Sequence, residues 1–348
     1  MTPNMAPNPR SVLSPSLVVK LTTLGAQLAR GQSDRELSDV LSELAVLPAH
    51  LVVRANQEIS KAAQPGSWKP VPHYLLRMRN LLSEQELLAQ NPDYAWLFLF
   101  HGNGFVREAA LDAINDPPAS PFFLAALAWR LNDWVPQVRD AAAECARRVL
   151  PRISADIAAN AALYLLVRRL AWRRWNYEAA VLDLMFGRTD VITAMAKRLQ
   201  QQSTGSLASL MRNALRYPDI DEHLARLAAN AVQPSVRAIA YQCLITGKAS
   251  WQTGFDWVWV DKIYGVGRNI PKLESRDIKA AGPAVDWIRA AAYDRSSIVR
   301  KVAADALIAD QAQSPDAAAL IARLAKDRNS AIRSRADYLL RHPPGPSS

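Results

Sequence analysis

Cysteine, glycine and long apolar runs are scarce in this chain, and each scarcity excludes a class of protein. Two cysteines and 13 glycines occur among 348 residues, which excludes a disulfide-rich scaffold and a glycine-rich low-complexity chain. The most apolar stretch, residues 155–167, contains Asp156 and Asn160 and is well short of the ~20 residues that span a membrane. Pro15 and Lys20 interrupt the apolar core that a secretory signal would need. We therefore expect a cytoplasmic protein without a membrane partner.

The chain also lacks the common motifs of catalysis. It has no P-loop and no dinucleotide fingerprint, because residues 264–268 (Tyr-Gly-Val-Gly-Arg) supply only a short glycine pair. Its five histidines are scattered, and none of them has a spacing that would recommend a nucleophile or a metal cluster. We assign no catalytic residue, no metal ligand and no cofactor, and the sequence favours a protein that is not an enzyme.

What the chain has in excess is positive charge and helix-forming residues. The net charge is +10 and the pI about 9.8, while half of the residues are hydrophobic. Alanine and leucine dominate, which favours helices over strands. A basic surface can approach nucleic acid, an anionic membrane or an acidic protein.

A short phrase built around an arginine recurs five times. The arginines are Arg107, Arg139, Arg237, Arg300 and Arg333. Each follows a β-branched residue and precedes, by three positions, an alanine: Ala110, Ala142, Ala240, Ala303 and Ala336. Three copies carry an aspartate six residues earlier: Asp133, Asp294 and Asp327. The spacing is 32 residues from Arg107 to Arg139 and 33 from Arg300 to Arg333, which is typical of stacked helix pairs.

The phrase has a physical rationale in such a stack. A small residue three positions after the arginine lets neighbouring helices approach closely. The aspartate falls in the turn before the helix, and the arginine can reach the carboxylate of its own or of an adjacent repeat. Cys145 and Cys243 stand where other copies have Ala113 and Ala306, so we interpret both cysteines as small buried side chains.

Residues 133–139, 294–300 and 327–333 carry the D-x5-R phrase best, and the phrase resembles HEAT repeats of the short bacterial kind. The resemblance covers about residues 91–342. It implies an all-α fold, an α-α superhelix, in which Asp133, Arg139, Arg237, Asp294, Arg300, Asp327 and Arg333 have structural roles. It does not indicate an activity, because such repeats serve many functions.

The pattern divides the chain into six segments. They are a flexible N-terminus (1–14), an irregular helical cap (15–90), repeats (91–246), an aromatic insertion (247–283), C-terminal repeats (284–341) and a flexible tail (342–348). The predicted helix pairs are 92–100 with 106–115, 121–131 with 136–149, 155–174 with 177–186, 190–200 with 206–216, 220–231 with 235–245, 284–292 with 298–309, and 315–325 with 331–340.

The insertion is the first candidate binding element. Trp251, Trp257 and Trp259 lie within nine residues, and the aromatic residues around 255–259 alternate with a period of two. We expect a loop with a short β-ribbon, and Arg268 gives it a basic edge. Aromatic residues often anchor interfaces; the alternative is that these tryptophans pack onto the edge of the helical stack.

The second candidate is an arginine-tryptophan stripe. It comprises Arg168, Arg169, Trp172, Arg173, Arg174 and Trp175. On one continuous helix, Arg168, Trp172 and Trp175 would share a face. Arginine pairs with phosphate and tryptophan stacks on bases, so the stripe suits nucleic acid or an acidic peptide. The alternative is a solvated arginine face with two core tryptophans.

The sequence thus favours a non-enzymatic scaffold that binds another macromolecule through a basic, tryptophan-bearing surface. The favoured partner is a protein, and an acidic protein would suit the positive charge. A nucleic-acid-binding protein is the alternative. Within it, the HEAT-like resemblance implies a third interpretation, since one bacterial group built from such helix pairs consists of DNA glycosylases acting on alkylated bases. Asp133, between Trp129 and Trp134, is similar in composition to the site of that group. The oligomeric state is not indicated.

Overall fold

A computed structural model describes residues 11–28, 36–63, 83–172, 174, 178–279, 282–309 and 316–342. These residues are mostly helical, with one two-stranded sheet, which confirms the helical class. The chain forms two compact units, Met1–Arg188 (unit 1) and Thr189–Ser348 (unit 2). The division falls inside the predicted repeat segment 91–246.

The described α-helices of unit 1 are α1 (Pro15–Leu28), α2 (Leu37–Ala45), α3 (Val52–Ala63), α4 (Glu84–Gln90), α5 (Tyr94–Phe98), α6 (Gly104–Ala113), α7 (Pro121–Arg130), α8 (Pro136–Val149), α9 (Ala155–Arg168) and α10 (Asp183–Phe186). Those of unit 2 are α11 (Thr189–Gln201), α12 (Leu207–Ala214), α13 (Asp221–Asn230), α14 (Pro234–Thr246), α15 (Ala284–Ala292), α16 (Ser297–Ala309), α17 (Ala317–Leu324) and α18 (Ser330–Arg341). Strands β1 (Lys248–Asp261) and β2 (Val266–Asp277) lie between α14 and α15.

Local sequence signals explain several helix ends. Pro121, Pro136 and Pro234 occupy the first turns of α7, α8 and α14, where the missing N–H costs nothing. Ser83 and Glu86 form a capping box at the start of α4. Gly247, with φ 68°, ends α14 in the left-handed conformation that favours glycine.

Consecutive helices pair, and the pairs stack. In unit 1, α5 packs on α6 and α7 on α8, while the second helices α6 and α8 also contact each other. In unit 2, the second helices α12, α14, α16 and α18 contact one another in sequence order. The repeat alanines Ala110, Ala142, Ala240, Ala303 and Ala336 are all buried, as close helix approach requires. Apart from α9 and α10, the observed bounds of the paired helices agree with the prediction within two residues; α10 begins at Asp183 and not at residue 177.

Two further predictions need correction. Helix α9 ends at Arg168, and residues 169–171 form a turn, so the predicted helix 155–174 is too long. Residues 11–13, predicted to be flexible, are held by Glu58, because its carboxylate accepts hydrogen bonds from the N–H groups of Val12 and Leu13. Residues 1–10 and 343–348 of the predicted flexible ends lie outside the described residues.

The repeat arginines bind their own turn by one nitrogen. In all five phrases an Nη1 group donates to the main-chain carbonyl six residues earlier, at distances of 2.7–3.0 Å. The carbonyls belong to His101, Asp133, Ala231, Asp294 and Asp327. Each arginine therefore fastens the turn that precedes its own helix.

Three of these arginines also bind the next repeat through Nε and Nη2. Nε and Nη2 of Arg107 donate to both carboxylate oxygens of Asp133, at 3.0 and 2.8 Å. The same two-pronged pairing joins Arg237 to Asp294 and Arg300 to Asp327. We call these three the inter-repeat pairs. The aspartate of each D-x5-R phrase thus serves the arginine of the preceding repeat.

Candidate interaction surface

The predicted aromatic insertion is an antiparallel β-hairpin over nearly its whole length. Strand β1 pairs with β2 from Lys248↔Asp277 to Asp261↔Val266. The connecting turn is closed by the Asp261 carboxylate, which accepts hydrogen bonds from the N–H groups of Ile263 and Tyr264 at 2.8 and 3.1 Å. Gly265 supplies the positive φ of 65° that the turn needs. The ribbon is longer than the short one predicted.

The base of the hairpin is fixed to unit 2 by Arg276. Its guanidinium binds both carboxylate oxygens of the buried Asp221, at 2.8 and 2.7 Å, and the carbonyls of Leu215 and Tyr217. The same carboxylate accepts a hydrogen bond from the Lys279 N–H at 3.0 Å. Ala249 is fully buried at the start of β1. The hairpin therefore leaves the helices at a defined position.

Between residues 255 and 273, one face of the hairpin is mostly apolar and carries no charge. Side chains alternate between the two faces of a strand, and the register pairs Phe255 with Pro271, Trp257 with Asn269 and Trp259 with Gly267. We call this the aromatic face, formed by Phe255, Trp257, Trp259, Gly267, Asn269, Pro271 and Leu273.

The opposite face mixes charges with apolar residues. Its pairs include Asp256 with Ile270 and Val258 with Arg268. Lys272 and Glu274 follow by the same alternation. This charged face therefore has cations and carboxylates in equal number: Arg268, Lys272, Asp256 and Glu274.

The aromatic face is open to solvent. Phe255 is 60% exposed, Trp257 54%, Trp259 50% and Leu273 63%. The rings of Trp257 and Trp259 meet edge to face, with centroids 5.7 Å apart. The Trp257 ring lies on Gly267, where an added Cβ would come within 2.4 Å of it. The tryptophans thus hold each other in place while their outer surfaces stay uncovered.

The first set of predicted binding residues is therefore only partly brought together. Trp257 and Trp259 share the aromatic face and are about half exposed. These two tryptophans therefore do not pack onto the edge of the helical stack, which was the alternative to a binding role. Arg268 lies on the opposite face, and Trp251 is half-buried nearer the base. Leu273 belongs to the aromatic face but was not singled out from the sequence, because strand register is not visible there.

The predicted arginine-tryptophan stripe does not form a surface. Trp172 is buried, with its ring centroid 5.2 Å from Trp129 and 5.9 Å from Tyr164, so it is a core residue and not a stacking platform. Arg169 is tied to both carboxylate oxygens of Asp183, at 2.7 and 2.8 Å.

The remaining residues of that stripe do not restore it. Arg168 is exposed, with its Cζ 5.9 Å from the Tyr164 ring. Arg174 is exposed, and its N–H donates to Asn132. Arg173 and Trp175 lie outside the described residues. The shared helix face was expected on a helix that in fact ends at Arg168.

Asp133 is inaccessible to a substrate. Its side chain is 2% exposed and accepts hydrogen bonds from Arg107, from Arg130 at 2.9 Å, and from the Val135 N–H at 3.1 Å. Burial lowers the pKa of Arg130 to about 10. A carboxylate engaged in this way cannot approach a DNA base, which removes the residue on which the glycosylase interpretation depended.

The other titratable candidates are also internal. Burial raises the pKa of the Cys145 and Cys243 thiols to about 12, as expected for small core side chains. Across the described ranges, no three histidine, cysteine or acidic side chains are grouped so that they could hold a metal ion. None of the helices in the described part combines the length and apolar character needed to cross a bilayer.

No protein-family model, curated protein or solved structure matches this chain. The functional argument therefore depends on the geometry of the hairpin and of the charges around the helix turns.

Proposed function

We propose that this chain is a non-enzymatic, HEAT-like binding scaffold and that a partner protein docks on the aromatic face of the hairpin. The observation that carries the proposal is a row of half-exposed aromatic and aliphatic side chains on a ribbon with an anchored base. A two-stranded ribbon alone is only marginally stable in water. Covering one of its faces would stabilise the ribbon as well as the complex.

The size of the face supports docking rather than incidental exposure. Phe255, Trp257, Trp259 and Leu273 expose roughly 100 Å² each, about half of what a buried aromatic side chain removes from water. The total, ~400 Å², is within the range of the largest apolar patches on monomers, which are often functional. Covering this area would contribute ~10 kcal/mol to the free energy of binding, from which the cost of association must be subtracted.

The charge distribution indicates the class of partner. Nucleic acid is held through phosphate contacts to cations, and the aromatic face has none, since Arg268 and Lys272 lie on the opposite side. An uncharged aromatic face is complementary to an uncharged apolar groove on a protein. We therefore place the partner among proteins that present such a groove.

The decisive variants are Trp257→Ala/Trp259→Ala and a hairpin shortened by replacing residues 253–272 with Asn-Gly. Gln252 and Leu273 face each other in the register, so a two-residue turn can join them while the Arg276 clamp is kept. The control is Trp134→Ala, which removes a tryptophan that is 69% exposed on unit 1.

Partners would be collected by crosslinking, purified and titrated against each variant. We expect the double tryptophan variant to bind at least about 100-fold more weakly, as for aromatic hot spots. The control should bind normally, and all variants should keep the wild-type melting temperature. Sedimentation of the purified chain will show whether a second copy is itself the partner. Undiminished binding by the shortened hairpin would rule the proposal out.

A further inference from the structure

A second site lies away from the hairpin, in an open cleft between two helix turns of unit 2. The cleft has a volume of about 650 Å³. It lies between the α15–α16 turn and the α17–α18 turn, and its cationic residues are Arg295, Arg300, Arg323, Lys326 and Arg328. Sequence analysis does not single it out, because its residues come from two separate repeats.

The two carboxylates of the cleft are already neutralised. Asp327 accepts from Arg300 at 2.5 and 3.0 Å and from the Asn329 N–H at 2.8 Å. Asp294 is bound in the same way by Arg237 and by the Ser296 N–H at 2.7 Å. The carboxylates of Asp294 and Asp327 are thus paired with Arg237 and Arg300 and do not neutralise the other cations of the cleft.

Four cations are then left over. Within the described chain, Arg295, Arg323, Lys326 and Arg328 are exposed and form no ion pair. Arg323 is the best positioned of them, since its Cζ stacks 3.9 Å from the centroid of the Tyr293 ring. Its Nε donates to the Ala292 carbonyl at 3.4 Å. Stacking orients a guanidinium without removing its charge.

We propose that this cleft binds phosphate groups. Phosphate combines up to two negative charges with three acceptor oxygens in a small volume, and arginine matches that geometry with its fork of donors. The cleft has only Tyr293 and Ala322 as apolar lining, so an acidic peptide would bury little of its side-chain surface there. The phosphates come from a nucleic-acid backbone or from a small phosphorylated compound, and the two sources share this chemistry.

The test uses the full chain and the double variant Lys326→Gln/Arg328→Gln. Its control, Lys197→Gln/Arg212→Gln, removes one lysine and one arginine from exposed positions on α11 and α12. Binding of a labelled single-stranded oligonucleotide and of inorganic triphosphate is measured at low and moderate salt. Polyglutamate of equal charge is the third probe, and the melting temperature reports folding.

The cleft variant should bind phosphate about tenfold or more weakly, and with the single-stranded oligonucleotide its log-log salt slope should fall by about 1.4 units. The control should bind nearly as tightly as the wild type. Tighter binding of the oligonucleotide would identify a nucleic-acid backbone as the ligand, and tighter binding of triphosphate would identify a small phosphorylated compound. Three outcomes would overturn the inference. The wild type could bind polyglutamate as tightly as the phosphate probes, the cleft and control variants could lose phosphate affinity equally, or no phosphate probe could bind at low salt. Trp257→Ala/Trp259→Ala should leave phosphate binding unchanged, which separates this test from that of the hairpin.

Discussion

At the scale of single residues, the repeat arginine holds its own turn and the next repeat at once. Arg107, Arg237 and Arg300 each bind a carbonyl through Nη1 and a carboxylate of the following repeat through Nε and Nη2. The sequence left open which repeat supplies that carboxylate. Which carboxylate the arginine reaches depends on the distance between stacked helix pairs. That distance is set by tertiary packing and cannot be read from the spacing of residues along the chain.

The Asp133 site gives the sharpest prediction for a residue. In Asp133→Asn the guanidinium groups of Arg107 and Arg130 lose their shared carboxylate while both arginines remain buried. Removing one partner of a buried ion pair costs about 3–5 kcal/mol. We expect a loss of that size in the free energy of unfolding, measured with urea.

The matched control is Asp140→Asn on the neighbouring helix α8, at an exposed position. It should change the unfolding free energy by less than about 0.5 kcal/mol. Equal effects of the two substitutions would contradict the role given to the Asp133 carboxylate.

At the scale of elements, helices were predictable and the hairpin was only partly so. Helix periodicity is local, and turn prolines such as Pro136 and Pro234 mark helix starts in the sequence itself. The alternation at residues 255–259 indicates a strand. The register of β1 against β2 joins residues up to 29 positions apart, as in Lys248↔Asp277, so the uncharged face could not be assigned. Trp172 was assigned to the wrong surface because α9 ends at Arg168, six residues before the predicted end.

Gly267 tests whether the tryptophan pair is preorganised. In Gly267→Ala the new methyl group would meet the Trp257 ring at 2.4 Å, so the ring must move away from its neighbour Trp259. We expect a weaker near-UV circular dichroism signal from the coupled indoles and weaker partner binding, with the melting temperature of the helices unchanged.

Gly254→Ala is the control in the opposite strand. An added Cβ there meets nothing within 4 Å, so the indole signal and the binding should stay at wild-type values. A Gly267→Ala spectrum identical to that of Gly254→Ala would show that Trp257 does not rest on Gly267.

At the scale of the whole molecule, Asp294 and Asp327, the carboxylates of two inter-repeat pairs, link stability to pH. Hydrogen bonds from Arg300 and the Asn329 N–H lower the pKa of Asp327 below its ordinary value of 3.8. Burial raises the pKa of Asp294, but hydrogen bonds from Arg237 and the Ser296 N–H outweigh that effect and lower it. Both groups lie in unit 2.

A lowered carboxyl pKa stabilises the folded state above the unfolded pKa, and this contribution disappears as pH falls through the folded pKa. We therefore expect the melting temperature of unit 2 to fall as the pH drops below about 4. Asp327→Asn should be less stable than the wild type at pH 7, and the difference should shrink at pH 3. The exposed Asp337→Asn should show no such convergence, and a constant gap for Asp327→Asn would argue against the linkage.

The Arg237–Asp294 pair closes the helical stack across the hairpin. Its two residues are 57 positions apart, against 26 and 27 for the other pairs, yet its bond lengths are similar. The two ends of the ribbon, Lys248 and Asp277, sit opposite each other. This junction is therefore a natural grafting point: a foreign peptide could be installed between these ends, or the ribbon exchanged for another, without changing the order of the helices on either side.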